Sequence, residues 1–400
     1  MRSRIIVSRS TPSANDEIGV LTADVASADE TGKLAGSTRV LISAVGPYSV
    51  LGESIYAACV NHGTHYVDIT GEVDWVGIMR EKYQKRAVET GSTLCSFAGY
   101  DCVPCDITLY AAKKVLSECD GGDGDAAITS AESVFVLKGG AVPRGTIRST
   151  IAKLSGAATF CGDLARFPSD GAVHRQTALA LVRWLLPRWS PEFGAFTIPH
   201  FMGWCNIPVV YNSHGSVLDC TFHDRMALSF SQNCPKTGYG LLQTLVLYSF
   251  LLAAAPWFLC FQIFVVFVPS TAEKLLKLFD SLGYRGNRNQ QLLDDSVVDV
   301  WNYFTSKSGS KATVHLHVKG DAGIKVTALL AVETAFSMLT LLDKNELPRG
   351  VIGTPSEIAG DALVDRLQDE EIIGHVCTLT VTVEEIDSGG DRDGNSKKEN

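Results

Sequence analysis

The chain is expected to fold as an α/β protein, with a parallel sheet in its N-terminal part and a second, α+β domain with a mixed sheet after it. Three observations predict this. Short apolar or β-branched runs alternate with helical stretches through the first 120 residues, and such alternation implies crossover connections and a parallel sheet. A flexible break follows, where Gly121, Gly122 and Gly124 are interspersed with Asp. Beyond the break, apolar and polar residues alternate along single strands, as in a mixed or antiparallel sheet.

In chain order, the early strand candidates are Ile5–Val7, Gly19–Leu21, Val40–Ala44, His65–Ile69 and Thr93–Phe97. Leu51–His62 and Val76–Thr90 read as helices between them. In the second, Val76, Met79, Tyr83 and Ala87 recur three or four apart, with Arg80, Lys82, Lys85 and Arg86 between. After the break, Ser133–Leu137, Val217–Thr221, Arg225–Phe230, Lys311–Val318 and Gly323–Leu330 read as strands. Pro355–Leu367 reads as a helix and Leu379–Val383 as a strand. The expected division is 1–120, 121–235 and 285–345 for the two halves of the second domain, 236–284 for an apolar insertion, 346–387 for a closing helix and strand, and 388–400 for a polar, disordered tail.

A hydrophobic fraction of 46% and a charged fraction of 20% suit a globular chain. The net charge is -9 and no block of Lys and Arg stands out, which argues against nucleic acid as a partner. The eleven cysteines are scattered, which points to a reducing compartment and buried free thiols. The start, rich in Arg and Ser with no acid before Asp16, fits two readings: a mitochondrial transit peptide, or a strand at Arg4–Val7 and a polar loop.

No charged residue occurs between Lys236 and Glu273, and Leu241 to Val268 is mostly Leu, Val, Phe and Ala. The run is long enough to cross a bilayer. Pro256 breaks it in the middle, and strands of the second domain lie on both sides. A hairpin dipping into a membrane leaflet or lipid monolayer is therefore the favoured reading, with Lys236, Lys274 and Lys277 near anionic head groups. A true span and a buried internal helix are the alternatives.

Three stretches carry chemistry. At VLISAVGPYSVLG a buried strand ends in Ala44, and Gly46 and Pro47 turn the chain before a helix. Ligands of parallel sheets bind at the carboxyl ends of strands, so Gly46 would admit a cofactor and Tyr48 would donate a hydrogen bond; the same residues also make an ordinary turn. At YVDITGE, Asp68, Gly71 and Glu72 close the next strand, where acids serve a ribose, proton transfer or a helix cap. GYDCVPCD holds Asp101 and a lone Cys102-x-x-Cys105 pair without the second pair a metal needs. His315 and His317 share one strand face with no carboxylate nearby in sequence, so no metal site is expected there.

In this order and spacing, Val45-Gly46-Pro47-Tyr48 with Gly52, Asp68-Ile69-Thr70-Gly71-Glu72 and Gly99-Tyr100-Asp101-Cys102-Val103-Pro104-Cys105-Asp106 resemble the saccharopine dehydrogenase-like oxidoreductases, which include bacterial trans-acting enoyl reductases. Gly145-Thr146 with Ser149, and Thr354-Pro355, are weaker matches. The resemblance implies a Rossmann-type domain, an NADP or NAD cofactor, and membrane or lipid-droplet association on the cytosolic face in eukaryotic members. It implies a hydride transfer to or from a hydrophobic, lipid-like enoyl or carbonyl substrate, and leaves a homodimer open. Carried over, Ala44, Val45, Gly46, Pro47 and Tyr48 would line the nicotinamide, Asp24 would lie near the adenine, and Arg9 would meet a 2′-phosphate. Tyr48, Glu72 and Asp101 are the catalytic candidates. The family's first strand and its G-A-[ST]-G-[FY]-[TV]-G loop have no counterpart here, since no Gly precedes Gly19. Two expectations follow: an N-terminally truncated product, or a lipid-associated pseudo-enzyme that has lost dinucleotide binding.

Overall fold

A computed structural model describes residues 3–7, 19–121, 126–140, 146, 171–227 and 290–384, with isolated residues between 241 and 274. Arg9, the motif residues Gly145 and Ser149, most of the apolar run 241–268 and the tail 388–400 lie outside the described residues.

Two sheets organise the chain. The smaller has four parallel strands in the order β12-β5-β4-β3: β3 is Val40–Ser43, β4 His65–Asp68, β5 Leu94–Cys95 and β12 Ile352–Gly353. Between them run α2 (Tyr48–His62) and α3 (Val73–Thr90). Both helices end on a glycine in the left-handed region, Gly63 and Gly91, the usual way to stop a helix and turn into the next strand. On the other face lies α8 (Thr327–Asp343). The sheet is thus covered on both sides, which is why His65, Tyr66, Val67 and Asp68 are all buried rather than alternating.

The larger sheet is mixed, with seven strands in the order β13-β11-β10-β6-β9-β8-β7. These are β6 (Ile128–Lys138), β7 (Arg188–Ser190), β8 (Ala195–Pro199), β9 (Phe222–Met226), β10 (Val297–Ser306), β11 (Lys311–Lys319) and β13 (Cys377–Glu384). Only β6 and β9 pair in parallel among its described neighbours. One face packs on α4 (Val103–Cys119), α5 (Gly171–Trp184), α6 (Gly203–His214) and α9 (Pro355–Gln368), burying Ile107, Leu109, Val210, Phe222, Val300, Phe304, Leu316 and Leu363. At the sheet's centre Ser133 Oγ donates to Asn302 Oδ1 at 2.5 Å, and Asn302 Nδ2 donates to Val314 O.

The fold is α/β as expected, with three corrections. The two N-terminal runs do not join the parallel sheet: β1 (Ser3–Val7) and β2 (Gly19–Ala23) form a separate antiparallel ribbon, and the fourth parallel strand comes from β12. Gly323–Leu330 is helical. Asp321 accepts from Ile324 N at 2.9 Å and Lys325 N at 3.2 Å, starting a π-turn at Ala322–Val326 that continues into α8. Val217–Thr221 makes only an isolated bridge at Leu218; the strand begins at Phe222.

Candidate functional site

The motif residues converge where the parallel strands end. Ala44 and Gly46 are exposed just after β3, and a cis Gly46-Pro47 bond leads into α2. Tyr48 is buried and its hydroxyl donates to Ser43 O at 2.8 Å. Burial, and then the nearby Asp68, pushes this phenol well up. Glu72 follows β4, and its carboxylate accepts from Tyr48 N at 2.8 Å and Ser49 N at 3.0 Å. It therefore caps α2, the helix of the preceding unit, where a negative charge meets the positive end of the dipole. Tyr48 and Glu72 are brought together as structural partners.

Asp68 lies beneath them, fully buried. It accepts from Thr70 N (3.1 Å), Phe97 N (3.3 Å) and Ser96 Oγ (3.1 Å), yet burial outweighs these bonds and pushes its carboxyl up to about 7. Phe97 adopts φ 68°, a conformation non-glycine residues avoid.

Asp101 keeps part of its surface open at the turn between β5 and α4, and burial pushes its carboxyl up to about 6. Gly71 shows what it faces. A methyl group added there would lie 3.7 Å from Asp101 Oδ2, 3.7 Å from Met202 Cε and 3.8 Å from Cys205 Sγ. The loops after β4 and β5 thus meet the start of α6. Behind Asp101, the Tyr100 hydroxyl is 3.3 Å from His200 Nε2, and His200 Nδ1 is 3.2 Å from both Asp224 oxygens. Asn206 Nδ2 donates to Asp224 Oδ2 at 3.0 Å. All four side chains are buried, and the imidazole stacks on Phe135 at 3.9 Å. With Nδ1 donating to the carboxylate, Nε2 is the acceptor for the phenol, giving a continuous hydroxyl–imidazole–carboxylate line. Sequence reading missed His200, Asn206 and Asp224, which stand about a hundred residues from Tyr100 with no motif around them.

Cys102 and Cys105 are buried with Cys205, and burial pushes both motif thiols well up, so the pair is inert packing rather than a redox dithiol. Asp106 instead receives Ser356 N at 2.8 Å, Ser356 Oγ at 2.7 Å and the His214 ring at 3.1 Å, tying α4 to α9.

No family model matches the chain. A mouse saccharopine dehydrogenase-like oxidoreductase is 25% identical over 90% of this chain and 82% of its own. A Mycobacterium tuberculosis protein, named as a trans-acting enoyl reductase, is 26% identical over 87% of this chain and 82% of its own. Over about nine-tenths of its length the chain is similar to saccharopine dehydrogenase-like oxidoreductases. A lipid droplet localized protein of Caenorhabditis elegans is 33% identical over 38% of this chain and 35% of its own.

A saccharopine dehydrogenase-like oxidoreductase implies a nicotinamide dinucleotide, and the described residues fit one end of it. The exposed backbone at Ala44 and Gly46 suits a flat ring at the end of β3. Asp24 stands after β2, but its Oδ1 accepts from Ala26 N at 3.0 Å in the turn before α1 (Ala28–Ala35). The described helices offer no second seat for the pyrophosphate: the first turn of α1 carries Asp29 and Glu30, and the N-terminus of α2 is occupied by Glu72. Neither is the helix on which the fold type holds that group, which follows its first strand.

Proposed function

We propose that this protein is a saccharopine dehydrogenase-like oxidoreductase that acts on an enoyl or carbonyl group of a hydrophobic, lipid-like substrate while resting on a lipid surface. A bound NADP or NAD would supply hydride chemistry; the chain's own groups handle the proton. The observation that carries this reading is Asp101: a carboxyl pushed up to about 6 by burial, on a half-buried residue at the edge where the parallel sheet would take its ligand, beside the Tyr100–His200–Asp224 line. A carboxyl that still holds its proton near pH 6 donates it readily to a developing oxyanion or carbanion.

The lipid surface rests on exposed apolar side chains. Val182 and Leu186, at and just after the end of α5, are 67% and 59% exposed, while Phe250 and Trp257 in the apolar run are 70% and 79% exposed. Tyr248 Oη donates to Leu185 O at 2.7 Å, so the run touches the same surface. Exposed large apolar side chains gathered in this way fit a docking or membrane face. Among the described residues one helix, Ala322–Asp343, is long and apolar enough to cross a bilayer. Its Leu330, Ala331 and Met338 are buried, as in a core helix.

A second reading has its own support. It is a lipid-associated protein that keeps the fold without dinucleotide: α1 and α2 carry acids at their N-termini and offer no alternative seat for a pyrophosphate. Titrating the folded chain with NADPH and NADH, followed by tryptophan quenching and calorimetry, separates the two. Saturable binding in the micromolar range supports the oxidoreductase; absence of binding by a demonstrably folded chain leaves the second reading.

A further inference from the structure

Far from that edge, the outward face of the larger sheet assembles a group that no sequence window contains. On β11, His315 and His317 point the same way, two residues apart. Directly across on β10, Asp299 pairs with His317 and Trp301 with His315. Asp299 Oδ1 is 3.0 Å from His315 Nε2 and 2.8 Å from His317 Nδ1. One ligand atom from each of the three lies within 4.8 Å of the others. His315 lies flat on Trp301, ring centroids 3.7 Å apart and 9° from parallel, which fixes its orientation. All three side chains are partly open to solvent, with exposures of 13% for Asp299, 22% for His315 and 33% for His317.

We propose that Asp299, His315 and His317 form a binding site for a divalent transition-metal ion of the zinc class. Two imidazoles and one carboxylate on one side of the ion leave further positions for water, the arrangement that borderline metals such as Zn²⁺, Co²⁺ and Ni²⁺ take with nitrogen and oxygen donors. The rigid antiparallel ladder sets the three donors in advance, so binding asks for little reordering. Lys138 Nζ, 3.7 Å from Asp299 Oδ2, takes the carboxylate's other oxygen and leaves Oδ1 for the ion. An imidazole must give up the proton on its ligating nitrogen to take a metal ion, so binding couples to proton release.

Calorimetric titration of the full chain with ZnCl₂, and optical titration with CoCl₂, tests the site. The expected result is one ion per chain with micromolar affinity, a cobalt d–d spectrum, and no thiolate-to-cobalt charge-transfer band from the cysteines. His315→Gln with His317→Gln abolishes binding, and Asp299→Asn weakens it at least about tenfold, in line with losses seen when metal ligation is disturbed. Zn²⁺ should also protect His315 and His317 of the unmodified chain from diethylpyrocarbonate, read by peptide mass spectrometry, which needs no variant to fold. Absence of saturable binding, a thiolate band, undiminished binding in the double variant, or labelling of both histidines unchanged by Zn²⁺ would each overturn the proposal.

Discussion

Glu72 shows how a residue that reads as an acid–base candidate in sequence becomes a structural one in space. Its carboxylate accepts from two backbone N–H groups at the start of α2. Glu72→Ala would leave both donors without their acceptor, the Tyr48 N–H in a buried place, and should cost about 1–3 kcal/mol in urea unfolding. Glu72→Gln keeps one acceptor oxygen and should cost less; equal midpoints for all three chains would rule out the cap. Asp68 sets a pH dependence. Its carboxyl moves from an ordinary 3.8 to about 7 on folding, so the folded chain holds a proton that the unfolded chain has released between those values. Stability from this group is therefore full below about pH 4 and is lost as pH rises to 7, by a few kcal/mol at most. Asp68→Asn should flatten that slope in denaturation curves taken from pH 4 to 7, and an unchanged slope would contradict the assignment. Asp101 should titrate near pH 6 by carboxyl carbon NMR. Tyr100→Phe, which removes the donor to His200 Nε2 but keeps the ring, should alter the imidazole signals of His200 while costing only about 1 kcal/mol.

At the scale of elements, Gly52 explains one letter of its motif. A Cβ there would lie 2.9 Å from Trp75 Cζ2 and 3.1 Å from Tyr48 Cδ1. Helix propensity favours Ala over Gly by about 1 kcal/mol, but overpacking costs about 1–3 kcal/mol. Gly52→Ala should therefore lower the midpoint of thermal unfolding, against the propensity scale. The helices α2, α3 and α9 and the strands β11 and β13 were legible because each buries a regular stripe or row. β10 was not: its inward row is Val298, Val300, Asn302, Phe304 and Ser306, and two polar residues satisfied inside the sheet erase the alternation. α8 was misread because Ile324, Val326 and Thr327 favour strands locally, while the deciding signal was the single capping acid Asp321. The three motif loops at the sheet edge were placed correctly. The Asp224–His200 pair and the Asp299 group were hidden because their members meet only through tertiary register.

At the scale of the molecule, the exposed apolar side chains from α5 through the run at 241–257 should bring the chain to lipid. Co-flotation with phosphatidylcholine–phosphatidylserine vesicles is expected, with the chain staying at the bottom of the gradient after deletion of residues 241–268. Retained flotation would place the lipid contact elsewhere. The connection between the two sheets has a different consequence. The chain leaves the parallel sheet after β5, builds most of the larger one, returns to lay β12 beside β5, with Ile352 against Leu94, and departs again for β13. A ribosome making this protein releases β5 long before the strand that covers its open edge exists. Through most of its own synthesis the nascent chain carries a bare, fully apolar strand edge, the feature that invites wrong pairing. Its yield in a cell should therefore depend on how well nascent chains are shielded during translation.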